Sequence, residues 1–118
     1  MTKIIKNDAW ANIIMISIDA GLVDDIAAGT MHKITHEQRE ILIINKDGTF
    51  YAINDTCTHA GSSLSEGKLQ DGIITCGWHG AEFDCSDGKL KKFPAKINDL
   101  GFYKTEIKDG HVFVNLEE

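Results

Sequence analysis

The stretch REILIINKDGTFYAIN, Arg39 to Asn54, decides how the rest of the chain is read. Two runs rich in β-branched and aromatic residues flank Asp47-Gly48, and Asp-Gly accepts the positive φ angles of a tight hairpin turn. The stretch therefore reads as a β-hairpin. The same punctuation recurs in four Asp-Gly dipeptides, at 47–48, 71–72, 87–88 and 109–110, each with strand-like sequence on both sides or nearby. GFYKTEI, KDG and HVFVNL repeat the pattern near the end of the chain. Helical evidence is thin. In AGLVDDIAAG, Leu22 and Ile26 stand four apart, but bounding glycines leave a turn of helix and an irregular loop as equal readings. The expectation is an all-β single domain over residues 1–118, with strands near 13–18, 30–35, 39–45, 49–54, 73–75, 81–85, 102–107 and 111–116.

The bulk numbers fit that architecture. The chain has 118 residues, enough for one compact domain with a modest core. Its formal net charge of −6 argues against nucleic acid and anionic membranes as partners and favours partners with basic surfaces. The longest apolar run, Ile13 to Ile18, suits a buried strand and falls far short of the ~20 residues of a membrane span. Lys3 and Lys6 are followed by Asn7 and Asp8, without the apolar region of a secretion signal. An odd count of 3 cysteines disfavours a disulfide framework, so a reducing, cytoplasmic setting is expected.

Two of those cysteines belong to a constellation. CTHAG (57–61) and CGWHG (76–80) supply Cys57, His59, Cys76 and His79, with 16 residues between the inner pair. Cys57 and His59 follow the predicted strand TFYAIN, and Cys76 and His79 follow GIIT, so the four would sit on two loops that meet like fingertips. Tetrahedral zinc takes two cysteines and two histidines, but commonly in the order Cys, Cys, His, His with the histidines on a helix. Here each loop mixes a thiol with an imidazole, which suits a centre of two inequivalent metal ions that each take one ligand per loop. A [2Fe–2S] cluster with two thiolates on one iron and two imidazoles on the other has that need. Replacing two anionic thiolates by neutral imidazoles also makes such a cluster easier to reduce. Cys–His nucleophilic catalysis accounts for only one of the two pairs.

At these boxes, and in the flanks NKDGTFYAINDTCTH, SLSEGKL and AEFDCSDGK, the sequence resembles the Rieske ferredoxins. The resemblance covers roughly residues 39 to 116, more loosely toward the N-terminus, and is greatest to the small ferredoxins of bacterial and archaeal Rieske-type oxygenase systems. It implies three stacked antiparallel sheets with two cluster-binding loops at one tip. It implies one Rieske cluster per chain, with Cys57 and Cys76 on one iron and His59 and His79 on the other, each imidazole keeping a nitrogen toward solvent. The implied activity is one-electron transfer by a soluble, monomeric carrier, from a flavin-dependent ferredoxin reductase to a terminal oxygenase, with no catalytic residue of its own. Two alternatives are a small Rieske subunit of a larger oxidoreductase, such as a nitrite-reductase-like complex, and a zinc-bound interaction module. In the family's high-potential branch two further cysteines join the loops, and a serine and a tyrosine donate hydrogen bonds to the cluster and a ligand sulfur. The matching residues here are Ser62, Trp78, Ala81 and Phe83, which implies a low potential.

The remaining conspicuous residues read as structural. Cys85 alternates with Phe83 opposite Glu82 and Asp84, the period of a strand, and is expected as a small buried hydrophobe. His32, His36 and His111 lack a partner motif. Trp78 is expected to pack the loop against water. Gly61, Gly77 and Gly80 offer turn geometry, close approach of backbone N–H groups to sulfur, or both. Lys89, Lys91, Lys92 and Lys96 read as a solvated basic strip, and Pro94 as a strand break or a rigid cover over the cluster.

Overall fold

The structure, a computed structural model, describes residues 3–8, 13–57, 63–77, 80–93 and 97–117. They form eleven strands: β1 (Lys3–Asp8), β2 (Ile13–Leu22), β3 (Met31–His36), β4 (Arg39–Lys46), β5 (Thr49–Asn54), β6 (Lys68–Gln70), β7 (Ile73–Thr75), β8 (Glu82–Asp84), β9 (Leu90–Lys92), β10 (Phe102–Lys108) and β11 (His111–Glu117). Helical structure among the described residues is limited to 3-10 turns at Val23–Asp25 and Leu64–Glu66. Every strand pairing is antiparallel.

Hydrogen bonding joins the strands into two sheets, one of seven in the order β1-β2-β11-β10-β5-β4-β3 and one of four in the order β6-β7-β8-β9. The larger sheet folds over on itself at β10. The start of β10 pairs with β5 (Phe102↔Ile53, Tyr103↔Ala52), and its remainder pairs with β11 (Lys104↔Asn115 through Lys108↔His111). The expected three layers are therefore present, with the first two continuous through one shared strand.

β4 explains the layering. Its sequence is a continuous apolar run because both of its faces are covered. Ile41 and Ile43 point into a core shared with Ile16 and Ile18 of β2 and Val112 and Val114 of β11. Leu42 and Ile44 point the other way, into a second core with Ile74 and Phe83 of the four-stranded sheet. All four β4 side chains are 0 % exposed, and burial of each stabilises the fold by about 1.5–3 kcal/mol. At the end of the run Asn45 is buried yet satisfied: its Nδ2 donates to the Ile26 carbonyl at 2.6 Å, and its Oδ1 accepts the Gly48 N–H at 2.8 Å.

Three of the four Asp-Gly pairs are two-residue hairpin turns with both residues at positive φ: Asp47-Gly48 (52° and 91°), Asp71-Gly72 (52° and 78°) and Asp109-Gly110 (52° and 77°). These are the angles of a type I′ turn. Asp87-Gly88 differs. Here the Gly88 N–H donates to the Asp84 carbonyl at 2.8 Å and the Leu100 N–H donates to the Gly88 carbonyl at 2.8 Å, so the pair closes a longer loop between β8 and β9.

β2 runs past its expected end at Ile18 to Leu22. The extension is held by a bulge: pairing with β11 shifts register between His111 and Phe113, and the Asp19 carboxylate accepts the Gly21 N–H at 2.9 Å and lies 2.9 Å from His111 Nδ1. Leu22 consequently ends a strand, 43 % exposed, while Ile26 is buried beyond the 3-10 turn, so the two do not share a helical face.

Candidate metal centre

The first loop leaves the end of β5. Its base is closed by an isolated bridge, Thr56↔Ser63, and by the Leu64 N–H donating to the Asp55 carbonyl at 2.7 Å. The Asp55 side chain, 0 % exposed, accepts the Ser65 N–H at 2.9 Å and the Ser63 hydroxyl. Lys33 reaches over from β3 to within 3.5 Å of the same carboxylate and 3.4 Å of Glu40. Partial desolvation pulls the Lys33 ammonium down, but the two carboxylates outweigh it and hold the group above its ordinary value.

The second loop is the crossing of a hairpin. β7 and β8 pair up to Thr75↔Glu82, and the Cys76 N–H donates to the Ala81 carbonyl at 2.8 Å. The Gly80 N–H donates to the Cys76 carbonyl at 3.1 Å, so Gly80 supplies the turn geometry expected of it. Gly77 lies against the inter-loop segment, where a Cβ would stand 3.6 Å from the Glu66 carbonyl oxygen.

The two loops deliver Cys57 and Cys76 to the same core cluster. Both are buried, 1 % and 2 % exposed, in the core between β4–β5 and the four-stranded sheet, with Leu42, Ile53, Leu64 and Phe83. None of the three cysteines forms a disulfide. One thiol from each of two tied loops, buried in one hydrophobic core cluster, fits the thiolate half of a bridged cluster, since a thiolate is the metal-binding form of cysteine. His59 and His79 lie outside the described residues, as do Gly61, Ser62, Trp78, Pro94 and Lys96.

Cys85 belongs to the same core, 0 % exposed. Burial pushes its thiol up, and the neighbouring Asp84 adds to the rise. It is the buried hydrophobe the strand period indicated. Of the basic strip, Lys91 lies 3.9 Å from Asp84 and Lys92 is registered opposite Glu82, which is the arrangement of a solvated face. His111 does have a partner in Asp19, a structural pairing at the β2–β11 bulge. The network around Asp55 had no motif to reveal it; an acidic residue at the end of an apolar strand, followed by a serine-rich segment, was the available signal.

Two loops of a three-layer antiparallel fold thus each place a cysteine in the same buried core cluster, the arrangement of a metal centre held by loops. The Rieske [2Fe-2S] domain family matches residues 17–107. The chain is 38 % identical over 93 residues to the ferredoxin component of biphenyl 2,3-dioxygenase from Rhodococcus jostii (strain RHA1), covering 79 % of this chain and 86 % of that protein. It is 33 % identical over 109 residues to ferredoxin CarAc of Metapseudomonas resinovorans, covering 92 % and 94 %. Its fold superposes with a TM-score of 0.79, at 31 % identity over 83 % of this chain and 91 % of the other, on a chain in the complex of reduced oxygenase and oxidised ferredoxin in carbazole 1,9a-dioxygenase. The chain belongs to the Rieske [2Fe–2S] family, carries one Rieske cluster, and is an electron-transfer component of the ferredoxin type rather than an oxygenase. The family region begins at 17, well before the expected 39, because β2 and β3 build the layers that enclose the central hairpin.

Proposed function

We propose that Cys57 and Cys76 supply the two thiolates of the cluster and His59 and His79 the two imidazoles. We further propose that residues 1–118 form a single domain that works as a cytoplasmic monomer, taking electrons from a flavin-dependent reductase and passing them to a terminal oxygenase. The observation that carries the ligand assignment is the burial of Cys57 and Cys76, from separate loops, in one hydrophobic core cluster. The acceptor follows from the relative whose structure is a complex of oxygenase and ferredoxin. When bound, the cluster supplies a reversible one-electron couple.

The surrounding residues set how readily that couple takes an electron. Ala81 and Phe83 are both 0 % exposed in the core cluster that holds Cys57 and Cys76, and present only apolar surface. With no side-chain hydroxyl at either position, the reduced, more negative state is less stabilised. The expected midpoint potential lies at the low end of the Rieske range, near roughly −150 mV, and a redox titration giving a value above roughly +100 mV contradicts the reading.

A further inference from the structure

The first loop has a feature that the ligand set does not explain. Asp55 is a fully buried carboxylate standing two residues before Cys57, so their Cα atoms are no more than about 7.6 Å apart, two 3.80 Å steps of chain. A buried carboxylate is costly unless it is hydrogen-bonded and paired, and this one is. Its Oδ1 takes the Ser65 N–H at 2.9 Å, its Oδ2 takes the Ser63 hydroxyl, and Lys33 approaches Oδ2 at 3.5 Å. Ser63 and Ser65 are themselves joined, hydroxyl to hydroxyl, at 2.6 Å. The Asp55 main chain is fixed as well, its N–H donating to the Glu40 carbonyl at 3.0 Å and its carbonyl accepting the Leu64 N–H. One residue thus fastens the entry of the Cys57 loop both to its exit and to the central layer.

We infer that Asp55 is a positioning residue for the first loop, and that its fixed negative charge, offset by Lys33, holds the reduction potential down. The inference rests on Cys57 being a cluster ligand. Its physical basis is simple: an added electron is repelled by a nearby carboxylate, and unit charges repel more strongly in a medium less polar than water. Lys33, 3.5 Å from the same carboxylate, acts in the opposite sense. The carboxylate's two acceptors meanwhile set the loop's span, so removing them frees the segment that carries Cys57.

The test uses the holoprotein and reads midpoint potential and cluster retention. Asp55→Asn keeps the shape and removes the charge; it is expected to favour reduction about threefold, an upward shift of about 30 mV at 59 mV per tenfold for a one-electron couple. Lys33→Met is expected to shift the midpoint downward. Asp55→Ala, which loses the acceptors, is expected to lose its visible absorbance to a chelator about tenfold faster than wild type, with Asp55→Asn close to wild type. Ser63→Ala carries the same comparison if Asp55→Ala does not accumulate. An unchanged or lowered midpoint in Asp55→Asn overturns the electrostatic role, and cluster loss at the wild-type rate in Asp55→Ala, or in Ser63→Ala in its place, overturns the positioning role. A Cys57→Ala variant that retains its cluster instead strikes the ligand assignment, and so marks that failure apart from the first two.

Discussion

The two loops that carry Cys57 and Cys76 are closed by different means. The second, from Cys76 to Ala81, lies within the β7–β8 hairpin, so the strand ladder closes it with main-chain bonds. The first leaves β5 and does not return to a neighbouring strand; it continues into the 3-10 turn Leu64–Glu66. A loop without a returning strand needs further closure, and here a buried carboxylate with two serines and a lysine adds to the Thr56–Ser63 bridge and the Leu64 main-chain bond. A ladder depends little on residue identity, whereas a side-chain clamp depends on it entirely. The first loop is therefore where single substitutions near the centre act most strongly.

Substitutions on either side of the contact between the inter-loop segment and the second loop sharpen this contrast. At Gly67, on the side of the first loop, an added Cβ would fall well inside van der Waals contact of the Thr75 carbonyl oxygen and 3.3 Å from that of Leu64, both main-chain atoms that cannot turn away. Gly67→Ala is expected to destabilise the protein by about 3 kcal/mol or more, measured as a fall in the denaturant midpoint. At Gly77, in the second loop, the nearest atom would be at 3.6 Å, an ordinary contact. Gly77→Ala is expected to cost less than about 1 kcal/mol in the same measurement. Equal effects would mean that the two loops are not held differently.

The smallest expected effect lies at the β2–β11 bulge. Burial alone would raise the Asp19 carboxyl, but the Gly21 N–H and His111 together bring it below its ordinary value of 3.8. A carboxyl lowered by folding contributes stability that is fully present above its unfolded value and is lost as pH falls through the folded one. Asp19→Asn should therefore be less stable than wild type at neutral pH by at most about 1 kcal/mol, given its partial exposure to solvent. That difference should close as pH falls below 3.8. A difference that widens in acid would show that the pairing works otherwise.

How much of this could be read beforehand depended on whether the cause was local. Paired hairpins at Asp47-Gly48, Asp71-Gly72 and Asp109-Gly110 follow from turn chemistry and were recoverable. The alternation of Phe83 and Cys85 placed both in the core correctly. β6 (KLQ) and β9 (LKK) hold one apolar residue each and so leave little strand signal, and β1 is an edge strand defined by its pairing with β2. The extension of β2 through Asp19 and Gly21 runs against strand propensity and is sustained by a bulge with β11, a partner far along the chain. Asp87-Gly88 has the hairpin signature but is drawn into a longer loop by Leu100. Asp55 and Lys33 are 22 residues apart in sequence, so their pairing had no local trace.

Iron and acid-labile sulfide analysis, on wild-type protein and on single alanine substitutions of Cys57, His59, Cys76 and His79, tests the ligand assignment most directly. Wild type should contain about two iron atoms and two sulfides per chain, and each variant should lose most of both. A wild type holding zinc in place of iron, or any one of the four variants retaining its full complement, would contradict it.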